Sequence, residues 1–381
     1  MNAARDQVWE RAWTELTQMR SDDGEHLLFP GLVLLGVQDG KQLFFRAGGW
    51  AYCYADDSGS MVPEADRVPM RPDTIFDLAS VSKLFTTLVI MRLVQDGRID
   101  LDRAVVDYLP EFGIETSTEG EERDSDRKRS IPVRQLLTHT SGFPAMISLW
   151  GRFPDRATRI RGTLTAGLIA DPGTSYCYSD LNLITLGELA HRLTDRPLDR
   201  LVAEWVTGPL GMVDTGYCPQ QDKQRIAAAE YETDPNRGVV WGEVHDENAW
   251  SLGGVAGHAG VFSDAAGLSR LAEAVIANDR DGTGPLLDAD HFRAMITNQN
   301  PDFAGHDHGL GFEINQDWYM GRLAGPRTIG HTGFTGTSVV IDLDRSAYVI
   351  LLTNRVHPSR NWSKINSARV VAADALAETI R

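Results

Sequence analysis

Apolar residues crowd one stretch of this chain more densely than any other. Leu84, Phe85, Leu88, Val89, Ile90, Met91 and Leu93 place hydrophobic side chains on nearly every face of a helix that starts near Ser80 and stops at Asp96-Gly97. A helix apolar all round belongs in a large core. An amphipathic helical period precedes it at residues 7–19. Leu32-Val33-Leu34-Leu35 and Leu43-Phe44-Phe45 flank Asp39-Gly40, which predicts a hairpin. Helical periods recur at residues 133–137, 183–193, 198–205 and 265–278. Two strand-like runs, 338–343 and 348–353, are separated by Asp344-Arg345, and an amphipathic helix closes the chain at about 363–380.

Strands at both ends with helices between them predict an α/β fold. The front and rear hairpins join one antiparallel sheet, flanked by the terminal helices, with an all-α insertion domain. The expected division is residues 1–85 and 225–381 for the α/β domain and 86–224 for the helical one, with the active site at their interface. Residues 115–130 are dense in charge without an apolar period, which predicts an exposed insertion.

Composition narrows the function. A net charge of −16 over 381 residues argues against nucleic acid and anionic membrane surfaces as partners, since both require clustered cations. The first twenty residues are polar and mixed in charge, without the pattern of a signal peptide, and no segment is apolar enough to span a bilayer. The three cysteines, Cys53, Cys177 and Cys218, form no CxxC pair and fit reduced thiols. Together these features predict a cytoplasmic location; oligomeric state is left open.

The chemistry starts at Ser80-Val81-Ser82-Lys83. Serine and lysine three residues apart at a helix start share one face, and the helix N-terminus presents free backbone N–H groups there. That arrangement suits an activated nucleophile with half an oxyanion hole. Ser125-Asp126-Arg127-Lys128 has the same spacing but lies in the charged stretch and is read as chance. The G-x-S-x-G elbow is absent, which disfavours a Ser-His-Asp enzyme of the α/β-hydrolase type. Tyr178-Ser179-Asp180 and His331-Thr332-Gly333 follow Ser80 and Lys83 in chain order. Tyr54-Ala55-Asp56 and His258-Ala259-Gly260 are competing copies. The first precedes the nucleophile, and the second has no strand hairpin behind it.

The order Ser-x-x-Lys, Tyr-x-Asp, His-Thr-Gly resembles the serine β-lactamase and penicillin-binding-protein family, in its class C β-lactamase and esterase branch. Leu136-Leu137-Thr138-His139-Thr140-Ser141-Gly142, Pro172-Gly173-Thr174 and Gly330-His331-Thr332-Gly333-Phe334-Thr335-Gly336 carry the same resemblance. It implies that Ser80 is acylated, that Lys83 and Tyr178 handle its proton, and that the backbone N–H groups of Ser80 and Phe334 form the oxyanion hole. Which of Lys83 and Tyr178 removes the proton stays open. Asp180, Thr332 and Gly333 would bind substrate. The machinery needs no cofactor and no metal; His306, His308 and the run His245-Asp246-Glu247 are read as loop side chains.

Two positions depart from the family pattern. Asp180 stands where relatives have asparagine, and an ionised carboxylate cannot donate to a substrate amide carbonyl. His331 stands where many have lysine, so it would pair a substrate carboxylate only below roughly pH 6.5. Both lean away from β-lactam hydrolysis. Val244-His245-Asp246-Glu247-Asn248-Ala249 and the glycine-rich run Gly253–Gly260 resemble a subgroup that includes N-acetylmuramoyl-L-alanine amidases. On that resemblance His245, Asp246 and Asn248 line the pocket; the plainer reading is a loop that merely packs tightly. The expected function is an acyl-serine hydrolase or acyltransferase on a small ester or amide. Its alternatives are a muropeptide amidase, a transacylase passing an acyl group to an amine, and a catalytically silent binding protein.

Overall fold

The computed structural model describes residues 3–21, 24–117, 120–282 and 284–380. Its centre is a seven-stranded antiparallel sheet. In spatial order the strands are Glu313–Ile314, Thr328–Thr332, Ser338–Asp342, Ala347–Thr353, Gly31–Gln38, Lys41–Tyr52 and Val68–Pro69. The front and rear hairpins do join one sheet, through Gly31–Gln38 paired with Ala347–Thr353. Asp39 and Gly40 turn the front hairpin with φ of 50° and 67°, the left-handed pair that matches strand twist.

Alternation along the strands divides the core into two layers. Leu32 and Leu34 face the terminal helices Ala3–Gln18 and Asn366–Thr379, where Trp9, Leu16, Ala372 and Leu376 are buried with them. Val33 and Leu35 face the other way, into the larger core that holds the Ser82–Gln95 helix. That helix also packs against Asp180–Thr194, so its apolar circumference is covered on all sides. A three-stranded sheet, in the order Phe76–Asp77, Val261–Ser263, Gly216–Tyr217, brings the strand before Ser80 beside the glycine-rich run. Among the described residues, no helix is long and apolar enough to cross a membrane.

The charged stretch 115–130 differs from its expectation; residues 118 and 119 of it lie outside the described residues. Ile114–Thr116 and Glu122–Asp124 form a ribbon, and Asp126–Arg129 a helical turn. Glu115, Ser125 and Lys128 are buried. The chance Ser-x-x-Lys copy is thus structural. Ser125 Oγ caps the turn by accepting from Lys128 N and donates to Glu115 Oε2 at 2.7 Å. Lys128 Nζ instead reaches the carbonyls of Leu164 (2.5 Å) and Ala166 (3.0 Å), over the rings of Phe112 and Phe143. Charge density misled here because a lysine stem and a capping serine are packed by distant apolar partners, which local periodicity cannot register.

Candidate active site

Ser80 sits on a 3-10 turn, Ala79–Val81, that runs directly into the Ser82–Gln95 helix. The turn is strained: Ala79 has φ of 47°. Asp77 holds it, with Oδ1 accepting from Ala79 N at 2.8 Å and Oδ2 accepting from His245 N at 2.7 Å. From the other side, Thr335 Oγ1 donates to Asp77 O at 2.7 Å and Thr337 Oγ1 to Leu78 O at 3.0 Å. The turn after Thr328–Thr332 therefore lies against the nucleophile strand. Gly333 permits the approach, since a Cβ there would stand 2.3 Å from Leu78 O.

Lys83 is buried, and its ammonium has a full set of partners. Nζ donates to Ser80 Oγ at 2.9 Å and to His258 O at 3.2 Å, and pairs with Asp180 Oδ1 at 2.8 Å. Burial alone would depress its pKa, but Asp180 and Tyr178 outweigh that and raise it above the usual lysine value. Lys83 is thus held as a cation. Tyr178 shares hydrogen bonds with Lys83 and Ser80, and its ring lies 4.8 Å from the Lys83 ammonium. Burial pushes its phenol up to about 12, against the lowering effect of Lys83.

Ser80 and Tyr178 open onto a cavity of about 600 Å³, with Lys83 buried beneath them. Ser80, Tyr178, Thr332, Gly333 and Phe334 line it, as do Tyr176, Glu313, Trp318, Arg355, Lys364, Asn366 and Arg369. Phe334 is half exposed, with Arg355 4.4 Å from its ring centre. Arg355 Nε and Arg369 Nη2 donate to Phe334 O (2.7 Å) and Gly333 O (2.6 Å), which fixes the turn. Burial lowers Arg355 to about 10 and Arg369 to about 9, so both stay charged at neutral pH. Burial pushes the Glu313 carboxyl up to about 7. The cavity wall is accordingly cationic although the chain as a whole is acidic. Sequence reasoning missed Arg355, Lys364 and Arg369; Asn366 and Arg369, one helical turn apart at the start of the last helix, were the readable signal.

Five expected site residues need correction. Asp180, expected to bind substrate, does not line the cavity and pairs with Lys83 instead. His331 is buried and does not line the cavity. Its Nδ1 donates to Thr332 O at 2.8 Å, Nε2 has no hydrogen-bond partner, and burial holds the ring down to about 3, so it is neutral. His245, Asp246 and Asn248 do not line the cavity either. His245 bonds Glu230 at 2.8 Å within a buried cluster neutralised by Arg237 and Arg360. Its ring stacks on Phe334, centroids 5.7 Å apart. Asn248 ties Leu149 N and Ile147 O, each at 2.8 Å. Asp246 caps the Glu247–Ser251 helix and bonds His258. These polar side chains have internal partners that a linear motif does not reveal. Of the competing copies, Tyr54 packs on His357 and Trp362, away from the nucleophile. His258 lies behind Lys83.

A carboxylate oxygen of Asp180, one of Asp246 and a ring nitrogen of His258 lie within 4.8 Å of one another. Within this donor set Asp180 pairs with Lys83, and Asp246 bonds the His258 ring.

The chain was compared with known proteins. A family model described as Beta-lactamase matches residues 19–374. A putative D-alanyl-D-alanine carboxypeptidase of Salmonella paratyphi A is 32% identical over 368 residues, covering 89% of this chain and 82% of the relative. Its namesake in Escherichia coli K12 is 30% identical over 387 residues, covering 91% and 84%. In fold, the chain is similar to EstCE1, a hydrolase with promiscuous acyltransferase activity, at a TM-score of 0.71, 23% identity and 98% and 100% coverage. It is likewise similar to a mutant simvastatin synthase from Aspergillus terreus, at a TM-score of 0.69, 20% identity and 100% and 98% coverage. A match that runs almost the length of the chain, on a fold that seats Ser80 against Lys83 and Tyr178, means that this protein belongs to the Beta-lactamase family of serine hydrolase-like proteins.

Proposed function

We propose that the protein hydrolyses an ester or amide that carries a carboxylate, through a covalent acyl-enzyme on Ser80. The observation that carries this reading is one cavity lined by Ser80 and Tyr178, with Lys83 bonded to Ser80 beneath its surface, and by a wall bearing Arg355, Lys364 and Arg369. Ser80 Oγ attacks the carbonyl, and the oxyanion forms against the backbone N–H groups of Ser80 and Phe334. Tyr178 is the proton acceptor, because Lys83 is held charged by Asp180. The active form has lost one proton from the Tyr178–Lys83 pair, which titrates as a unit, so turnover rises toward alkaline pH. Tyr178 then returns the proton to the leaving group, and water resolves the acyl-enzyme by the reverse route.

The names of the relatives favour a peptide ending in a free carboxylate as the substrate class. A muropeptide amide meets the same description, and transfer to an amine is the outcome wherever an amine displaces water. The polar positions of the site are filled by chemically competent residues, which weighs against a silent binding protein.

The test is to incubate the protein with a fluorophosphonate, p-nitrophenyl esters, D-alanyl-D-alanine peptides and muropeptides, and to locate adducts by mass spectrometry. Adducts should map to Ser80 and vanish in Ser80→Ala, with Tm unchanged. Labelling at any other serine, or none, overturns the proposal.

A further inference from the structure

The glycine-rich run Gly253–Gly260 reaches Lys83 through its main chain, and Asp246 reaches that run through the His258 ring. His258 donates no side chain to the cavity. Its contribution is its main-chain carbonyl, which accepts from Lys83 Nζ at 3.2 Å, while the preceding Gly257 carbonyl accepts from Thr86 Oγ1 at 2.8 Å. Two successive carbonyls thus grip the nucleophile helix. The loop has no slack on the opposite side: a Cβ on Gly257 would stand 1.8 Å from Leu183 O, in the helix that begins with Asp180.

The His258 ring fixes how these carbonyls are aimed. It is 1% exposed, and its Nδ1 has no hydrogen-bond partner. Its one tether is Nε2 to Asp246 Oδ1 at 2.8 Å. The same Asp246 oxygen accepts from Ala249 N at 2.7 Å and so is anchored to the start of the Glu247–Ser251 helix. A half-buried carboxylate oxygen that accepts two hydrogen bonds is a rigid post. His258 and the Ala249 N–H keep Asp246 well below the usual carboxylate range despite its partial desolvation.

We propose that Asp246 and His258 are positioning residues for the catalytic lysine: their side-chain bond sets the loop whose carbonyl, with Asp180, orients the Lys83 ammonium toward Ser80 and Tyr178. This rests on the acyl-serine reading above. It assigns a task to Asp246, which the sequence places in the pocket and the fold places behind it, and to His258, which the sequence offers only as a competing motif copy. Nothing in the substrate cavity changes when the post is removed, so binding is spared while the proton-transfer geometry is not.

The experiment measures the second-order rate at which a fluorophosphonate labels Ser80, in which Oγ bonds phosphorus, fluoride leaves, and the serine proton passes to the Tyr178–Lys83 pair. kcat and KM for a p-nitrophenyl ester are measured beside it, below the Tm of every variant. Asp246→Ala and His258→Ala should slow labelling and kcat by about 10²-fold, the scale of a misplaced catalytic group, with KM little changed. Asp246→Asn retains an acceptor for His258 and for Ala249 N–H, and should recover most of the rate. Should Asp246→Ala fail to fold, His258→Gln against His258→Ala carries the comparison, since the glutamine amide can still donate to Asp246. Wild-type rates in the alanine variants, or a fall that appears in KM rather than kcat, overturn the positioning role alone. A wild-type protein that is not labelled at Ser80 overturns the acyl-serine reading and this inference with it.

Discussion

Replacing Asp180 by asparagine isolates the charge that distinguishes this site. Asp180 Oδ1 lies 2.8 Å from Lys83 Nζ, with Lys83 buried and Asp180 mostly so. Unit charges at 2.8 Å attract by about 6 kcal/mol at an effective dielectric of about 20. One pKa unit corresponds to about 1.4 kcal/mol, so even a quarter of that attraction moves the titration by about one unit. Asp180 raises both Lys83 and Tyr178, while burial pulls Lys83 down and Tyr178 up. Removing the carboxylate therefore makes the first proton of the pair easier to lose. The rising limb of kcat/KM against pH should move to lower pH by at least about one unit in Asp180→Asn. The assay is hydrolysis of a neutral p-nitrophenyl ester from pH 5 to 10, with fluorophosphonate labelling rates as a substrate-independent check. An unmoved limb, or one displaced upward, would refute the claim that Asp180 holds Lys83 as a cation. The variant also supplies an amide donor for an acyl-side carbonyl, so nitrocefin turnover, expected to be poor in the wild type, should increase.

Other outcomes follow from the same geometry. Tyr178→Phe should lower kcat by about 10²- to 10⁴-fold with KM little changed, measured on the same ester. Because His331 titrates near 3, the ratio of kcat/KM for a carboxylate ester to that for its neutral analogue should show no break near pH 6.5; a break there, absent in His331→Gln, would restore a charge-reading role. Burial lowers Lys128 to about 7, beneath its unfolded value, so the unfolded chain binds more protons than the folded one between these two pKa values. Stability from this group accordingly rises with pH above about 7, by about 1.4 kcal/mol per unit at most, until the unfolded lysine itself titrates. Relative to Lys128→Met, the wild-type Tm should therefore gain between pH 6 and 9, and a constant difference would contradict this.

Local sequence determined the elements whose partners are near in the chain or whose pattern is self-sufficient. Asp39-Gly40 imposed its turn, the alternation Leu32-Val33-Leu34-Leu35 set which face each side chain takes, and the apolar run after Ser80 required a buried helix. Serine and lysine one turn apart could meet there, but Ser125 and Lys128 have the same spacing and Lys128 Nζ turns to the Leu164 and Ala166 carbonyls instead. Only tertiary structure decided what surrounds Ser80 and Lys83. Asp180 and His258 O reach Lys83 from segments far along the chain. Arg369 crosses from the last helix to the Gly333 carbonyl. His331 is kept neutral by burial that no short motif encodes. A charge takes its pKa from what lies within a few ångströms in space, and for Lys83, Lys128 and His331 those neighbours are supplied by packing. The same holds for His245, Asp246 and Asn248, whose motif is legible but whose bonding partners, at Glu230, His258 and Leu149, are fixed by the folded chain.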